Sequence, residues 1–414
     1  MVGMKYHRNS KLQIWAFWIL FALTMTIHAF VDTKGLDWKL IFTLLLSTFF
    51  YFLTRKRVDR SEMLLAFISI CIPFFALLFY PNDFKASSYL FTLAYFFTFL
   101  LYKNLCLQGQ VSLDGFYKFI KYSLVAFFVV LVIQQIQWIL GMAPINDRYP
   151  EGIKRCSLAM EPSNMLIIAP AIMFVFIKIQ ELRYDEREYA LSNIWKRDRW
   201  YWLAFLYTCL SCGSMSAVFT LPILFCYFLK RKVLLYLPLA LIAFLIAALY
   251  VKNTNPEVYD RVINLGQITS IDSRAIALID PSASTRFVPY IEFFKSLDLF
   301  DLSTWFGHGM SSLDTLCKEI IINGDDTNIG TANIFSLFYD HGMIIGLLFF
   351  AFLIPILAPR FFSYEVFFYF SVISVAGINR SMLWMFICFM FTLKYLQKYE
   401  NNKSNCIKSL RKRA

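Results

Sequence analysis

Apolar residues recur along the chain in long runs that short polar or charged stretches separate. About 20 apolar residues in a helix can cross a hydrocarbon layer ~30 Å thick. The pattern therefore predicts an all-α integral membrane protein, a single polytopic domain over 1–414. We place about twelve transmembrane helices at 12–30, 40–53, 63–80, 88–102, 122–140, 165–179, 200–211, 216–229, 233–250, 333–357, 362–375 and 382–395.

The stretch 200–229 is long for one helix and short for two ordinary ones. Basic clusters flank it on both sides, at 178–199 and 230–232, and segments rich in Lys and Arg stay in the cytoplasm. A single span would export one of the two clusters. The sequence therefore predicts a short hairpin that turns at 211–214, and an even number of spans with both termini in the cytoplasm.

Composition excludes most soluble classes of protein. Apolar residues make up 58% and charged residues 16%, with 45 Phe and a mean hydropathy of +0.56, which is too apolar for one globular core in water. Forty Lys and Arg against 28 Asp and Glu give a net charge of +12. We assign this excess to membrane topology and to contact with membrane lipids through the basic cytoplasmic tail 396–414, and we expect no nucleic-acid partner.

The first apolar run ends without the small-x-small pattern of a cleavage site, since Val31 is followed by Asp, Thr, Lys and Gly. We therefore expect it to stay in the protein as the first span.

Two predicted external segments are rich enough in polar groups to carry chemistry. The first, 141–164, contains Arg148 and Arg155 and ends with Glu161 and Pro162 before the sixth span. Proline suits the first turn of a helix, which puts the Glu161 carboxylate at the N-terminus, where the helix dipole stabilises it. Glu161 can be only a cap, or it can orient an arginine or activate a hydroxyl group.

The second segment, 251–332, is the large external loop of the prediction, and loops of that length are usually functional. It contains Arg286 and Tyr290, followed by the turn Gly307-His308-Gly309. Arg286 can be an exposed surface residue or a residue that contacts a ligand. The glycines of the turn can serve only to permit positive φ.

The tenth span opens with polar residues. Asn333, Asp340 and His341 fall within its first three turns, and ionisable groups inside a span normally face a polar cavity. Alternatively, this helix begins above the lipid and packs against the large loop. Arg380, between the last two spans, can reach the membrane interface or close the same cavity.

These segments together resemble the bacterial Wzy-type O-antigen polymerases, within the larger O-antigen polymerase and ligase family. The motifs that carry the resemblance are Arg155, the run from Glu161 to Ser163, Arg286, the run from Trp305 to Gly309, Asn333, and the run from Gly342 to Gly346. Ligases of the family have a His-Asn or His-Ser pair at the entrance to the span after the large loop. Here that place holds Thr331, Ala332 and Asn333, which favours the polymerase.

The resemblance implies a GT-C-like membrane glycosyltransferase in the bacterial inner membrane. Such an enzyme transfers a glycan chain from an undecaprenyl-diphosphate carrier onto a lipid-linked repeat unit at the periplasmic face, without a cofactor and independently of metal. A chain-length regulator is the further partner that the resemblance suggests. Guanidinium groups would hold the diphosphate leaving group. We assign Arg155 and Arg286 to that role, with Arg148 and Arg380 as second choices. Tyr290 and Asn333 are assigned to binding of the substrate, diphosphate or glycan, and Glu161 and His308 to catalysis.

Three alternatives stay open at this stage. One is an O-antigen ligase, and another is a twelve-span flippase or transporter for the same lipid-linked sugar, whose polar groups would gather near the membrane midplane. The third is a metal-dependent glycosyltransferase, in which Asp32 and Asp37 would imitate an acidic pair in the first external loop.

Overall fold

The computed structural model describes the parts of the chain that contain the core of the helical bundle. These are residues 45, 48–49, 51, 59–80, 86–109, 111–145, 155–159, 162–212, 216–229, 272–279, 281–310, 312–320, 334–358, 361–378 and 380–411. The predicted spans at 12–30 and 233–250, most of 40–53, and Asp32 and Asp37 lie outside them.

The described residues fold into helices joined by short turns. We label the helices α1 (Arg60–Phe79), α2 (Ala86–Leu107), α3 (Leu113–Ile139), α4 (Pro162–Tyr184), α5 (Arg199–Ser211), α6 (Ser216–Leu229), α7 (Ser273–Ile279), α8 (Pro281–Lys295), α9 (Leu302–Phe306), α10 (Ser312–Ile320), α11 (Ile334–Leu357), α12 (Tyr364–Phe368) and α13 (Ser381–Arg411). Two π-helical turns, Ile194–Asp198 and Tyr369–Ile373, precede α5 and continue α12.

Five helices of the described part are long and apolar enough to cross a membrane. They cover Arg60–Phe79, Ser88–Leu107, Leu113–Ile139, Asn164–Tyr184 and Ile334–Leu357, and a shorter apolar helix covers Tyr364–Ile373. The apolar pattern of the sequence thus correctly predicted an all-helical chain with multi-pass membrane character. The count of twelve spans and the GT-C-like architecture remain predictions.

The stretch 200–229 forms two helices, as the flanking charges indicated. Trp202 near the start of α5 lies 5.6 Å, between ring centroids, from both Phe225 and Phe228 near the end of α6. The two helices are therefore antiparallel. Each is short, since 13 and 14 residues rise only about 20 Å.

The core of the bundle surrounds α4. Met165 to Ile177 are all buried, and this helix is apolar on every side because α3, α5, α6 and α13 pack around it. Next to it, Trp384 of α13 lies within 6.2 Å of Phe96, Phe349 and Phe352 between ring centroids. Much of the phenylalanine content thus fills the helix interfaces.

The outer helices expose apolar side chains. Phe67, Ile70, Phe74 and Leu77 of α1 are all more than half exposed. Such a surface would be unstable in water and is compatible with lipid. The exposed stripe of α1 therefore identifies a lipid-facing side of the bundle.

Contacts at the helix termini define two ends of the bundle. At the first, which we call the Gly342 end, Phe79 at the end of α1 stacks on Phe306 with ring centroids 4.7 Å apart, and Ile334 N–H donates to the Ser374 carbonyl at 2.7 Å. At the opposite end, which we call the Glu181 end, Lys178 of α4 pairs with Glu365 of α12 at 3.0 Å. Consecutive long helices run in alternating directions between these ends.

A buried lysine ties α1 to α2 at the Glu181 end. Lys103 is 2% exposed; its ammonium pairs with Asp59, which caps α1, and lies 3.4 Å from Glu62, which is 4% exposed. It also donates to Ser61 Oγ at 2.7 Å. Three groups near the start of α1 therefore share one ammonium.

We expect Lys103→Met to lower the free energy of unfolding by about 3 kcal/mol, because the buried Glu62 carboxylate would lose its counter-charge. Thermal unfolding of the purified protein in detergent measures the change. Lys398→Met, which removes an exposed lysine of α13, is the control and should leave the midpoint temperature unchanged. Equal midpoints for both variants would contradict the assigned role of Lys103.

Candidate functional site

Helix α11 is broken near its start. Gly342 has φ 84° and ψ 164°, far from helical values, so the regular hydrogen bonding of the helix is interrupted there. A side chain at this position would also overlap the main chain of Trp305 and Gly307. The break therefore requires glycine for two reasons: its positive φ and the close approach of another segment.

The turn after α9 inserts into this break. His308 N–H donates to the Tyr339 carbonyl at 3.0 Å, and Gly309 N–H donates to the Asp340 carbonyl at 3.1 Å. Gly307 and Gly309 have φ values of 93° and 101°, which lets the turn present two successive N–H groups in one direction. The turn and the broken helix thus complete each other's main-chain hydrogen bonds.

The same contacts fix the imidazole of His308. Its ring stacks on Tyr339 with centroids 4.1 Å apart and an angle of 5° between planes, and Nδ1 lies 3.1 Å from the Tyr339 carbonyl oxygen. A carbonyl oxygen can only accept, so Nδ1 must carry the proton. In the neutral ring, Nε2 then keeps its lone pair and can act as a base.

Asp340 joins the broken helix to α10. Its Oδ1 accepts from Leu313 N–H at 3.0 Å, so this carboxylate caps the first turn of α10 from a neighbouring element. It also lines a small cavity with His341, Ser336, Ser88 and Thr92. The cavity measures about 30 Å³, which is enough for a water molecule. The polar start of the tenth span therefore both faces a cavity and packs against the large loop.

Helix α8 brings two predicted residues to the same end. The Tyr290 ring lies 5.0 Å from that of Phe335 in α11, between centroids, and its hydroxyl bonds Ser374. Arg286 lies one turn earlier in α8; the position of its side chain is outside the described part. Burial raises the pKa of Tyr290, so its phenol stays protonated and can donate a hydrogen bond.

The turn 155–159 carries Arg155 into the bundle. Ser157 N–H donates to Gln134 Oε1 at 2.9 Å, and its hydroxyl donates to the Phe127 carbonyl at 2.7 Å. These bonds hold the turn against the C-terminal half of α3. Arg155 is only 3% exposed, with its guanidinium carbon 5.9 Å from the Trp138 ring centroid. Irregular backbone at such depth occurs in membrane proteins where it is buried in protein or lines a cavity.

The remaining predicted residues divide into two groups. Arg380 is exposed, and its N–H donates to the Gly377 carbonyl at 3.0 Å in the turn before α13. Arg148, Glu161 and Asn333 lie outside the described residues, although α4 and α11 begin at the adjacent positions 162 and 334. The described geometry thus joins Tyr290, His308 and the start of α11, while Arg155 lies with α3.

Sequence reasoning missed the contributions of α1 and α2. The Tyr80 ring lies 6.5 Å from the His308 ring, on the chain segment that follows α1, and Ser88 and Thr92 of α2 face Asp340 and His341 across the cavity. Isolated hydroxyl groups in an apolar run give no signal of their own. The only signal in the sequence was the group of polar residues at the start of α11, which indicated that a neighbouring helix supplies polar partners.

Besides the stacked Tyr339, Asp301 and Tyr80 lie near the His308 ring among the described residues. Hydrogen bonds from the main chain and hydroxyl of Ser303 lower the pKa of the exposed Asp301 carboxyl, which therefore stays ionised. Burial, with a smaller effect from Asp301, raises the pKa of Tyr80. The His308 ring thus lies near a fixed negative charge and beside a neutral phenol.

A larger cavity at the Glu181 end is a weaker candidate. Its volume is about 700 Å³, and phenylalanines at 361, 362, 367 and 370 form much of its wall. Lys178 lines it but is already 3.0 Å from both Glu181 and Glu365. Its charge is thus neutralised twice, which leaves little attraction for an anionic substrate.

Comparisons with known proteins give no neighbour: no protein-family model, no curated protein and no solved structure matches this chain.

Proposed function

We propose that this chain is a membrane glycosyltransferase that polymerises polysaccharide repeat units. It transfers a glycan chain from undecaprenyl diphosphate onto the sugar of a lipid-linked repeat unit at the Gly342 end, which faces the periplasm. The observation that carries the proposal is the interlocked site at Gly342: the motif around His308 and the motif around Gly342, far apart in sequence, form one structure that leaves a ring nitrogen available as base.

The proposed chemistry divides between base and leaving group. His308 Nε2 removes the proton of the acceptor hydroxyl, and the hydroxyl oxygen attacks the anomeric carbon as the bond to the diphosphate breaks. Arg286, on the helix that presents Tyr290 to α11, stabilises the departing diphosphate. Arg155 supplies a second guanidinium; because it is buried, the diphosphate has to enter the bundle beside α3 to meet it.

We expect Arg286→Ala and Arg155→Ala each to reduce long chains by about tenfold to a hundredfold, because each loses charge-assisted hydrogen bonds of about 1.5–3 kcal/mol to the diphosphate. The measurement is the lipopolysaccharide ladder of a deletion strain of the source bacterium that carries each variant, with protein level checked by immunoblot. Arg274→Ala, which removes an exposed arginine of the neighbouring α7, is the matched control. Normal ladders in both test variants would exclude the proposed clamp.

The deletion strain also separates the competing functions. Loss of a polymerase leaves lipopolysaccharide capped with a single repeat unit, whereas loss of a ligase or a flippase removes every repeat. The flippase is the stronger competitor, because broken helices such as α11 are typical of transporters. If the deletion strain lacked every repeat unit, the chain would be a ligase or a flippase rather than a polymerase.

A further inference from the structure

Cations and exposed aromatic rings surround the start of α5 at the Glu181 end. We call the following residues the basic aromatic patch: Lys118, Lys121, Trp195, Lys196, Arg199 and Trp200. Trp195 is 73% exposed and Trp200 is 69% exposed. Tryptophan side chains are rarely this accessible in a folded protein, so the patch needs an explanation outside the packing of the chain.

The patch is compact along the chain and joins two helices. Four of its members, Trp195, Lys196, Arg199 and Trp200, lie within six positions, in the π-helical turn and the first residues of α5. The Arg199 guanidinium carbon lies 5.1 Å from the Trp200 ring centroid. Lys121 of α3 lies beside the start of α5, because its ammonium is 6.0 Å from the centroid of the Tyr201 ring.

Three acids at this end of the bundle are paired with cations outside the patch. Asp114 pairs with Arg183 at 3.5 Å, and Arg197 lies 3.0 Å from Glu186 and 3.3 Å from Asp198. Within the described ranges, no carboxylate forms an ion pair with any of the four cations of the patch. The patch therefore presents positive charge that the described chain does not neutralise.

We propose that the basic aromatic patch binds the phosphate headgroups of anionic phospholipids. It lies where the candidate span α3 begins and the candidate span α4 ends, and therefore at the depth of lipid headgroups. Tryptophan rings favour that depth, and Lys and Arg there attract anionic lipid. The Glu181 end would then lie in a leaflet that contains anionic phospholipids. The inference is independent of the proposed function.

Tryptophan fluorescence in lipid vesicles tests the proposal. The full chain is reconstituted into phosphatidylcholine vesicles that contain brominated phosphatidylglycerol or, at equal mole fraction, brominated phosphatidylcholine. The difference between the native protein and Trp195→Phe/Trp200→Phe isolates the signal of the two patch tryptophans from the total of nine. We expect brominated phosphatidylglycerol to quench that signal more strongly, and high salt to reduce the preference.

Two paired variants establish whether charge is responsible. Lys196→Gln/Arg199→Gln should lower the preference for phosphatidylglycerol by about fivefold for each cation removed. Lys196→Arg/Arg199→Lys and Arg274→Gln at the opposite end should keep it. Equal quenching by the two lipids, or loss of the preference in the charge-preserving variant, would overturn the proposal.

Discussion

Replacing Gly342 with alanine should abolish polysaccharide chain formation and destabilise the protein. The combination of φ 84° and ψ 164° lies in a region that only glycine populates readily, which costs an L-residue roughly 1–3 kcal/mol. In addition, the new Cβ would lie 2.5 Å from the Trp305 carbonyl carbon and 2.6 Å from the Gly307 nitrogen. Main-chain atoms held by hydrogen bonds cannot rotate away as a flexible side chain can, so the turn 307–309 would have to leave the break.

Gly141→Ala is the matched control for this prediction. Gly141 also has a positive φ, 70°, but an added Cβ would have no atom within 4 Å. It therefore tests a positive φ without the collision. We expect Gly141→Ala to lower the thermal midpoint slightly and to leave the lipopolysaccharide ladder intact. A normal ladder with Gly342→Ala would show that the interlocked turn is not needed for activity.

His308→Asn should lower the rate of chain extension by about 10²–10⁴-fold, the usual contribution of a general base. The asparagine amide can still donate to the Tyr339 carbonyl in place of Nδ1–H, but it offers no basic nitrogen. Stability should consequently change little while activity is lost. The rate is measured in membranes with a lipid-linked repeat unit as the added substrate, and the thermal midpoint is measured on the purified variant.

His308→Phe makes the complementary change. Phenylalanine keeps the stacking on Tyr339 and loses the hydrogen bond, so it should reduce both stability and rate. A rate that survives in His308→Asn and falls only in His308→Phe would assign His308 a positioning role and would contradict the proposed base.

The apolar pattern predicted much of the helical architecture because a helix that crosses lipid has to be apolar for about 20 residues. The ends of α1 and α11 fall within a few residues of the predicted limits, since a span must stay apolar for most of its length. The hairpin α5–α6 was predictable from charge rather than from hydropathy. By contrast, α3 begins at Leu113 rather than at 122, and α2 ends at Leu107 rather than at 102, because polar residues next to an apolar run can continue the helix into the polar interface.

The candidate site was less predictable than the fold. The glycines of the turn 307–309 and the polar residues Asp340 and His341 were recognisable in sequence, but their mutual contact was not. Nothing in the apolar run of α11 indicates that Gly342 breaks the helix rather than allowing close packing. That difference depends on the turn 307–309, which approaches from another part of the chain.

The short hairpin has a consequence for the surrounding bilayer. Helix α5 exposes Leu203, Tyr207 and Leu210 over a rise of about 20 Å, whereas an ordinary hydrocarbon layer is about 30 Å thick. Acyl chains that cover this side have to shorten or disorder to avoid contact with polar groups. A bilayer around the chain would therefore be thinner beside α5 than beside the long helices of the bundle.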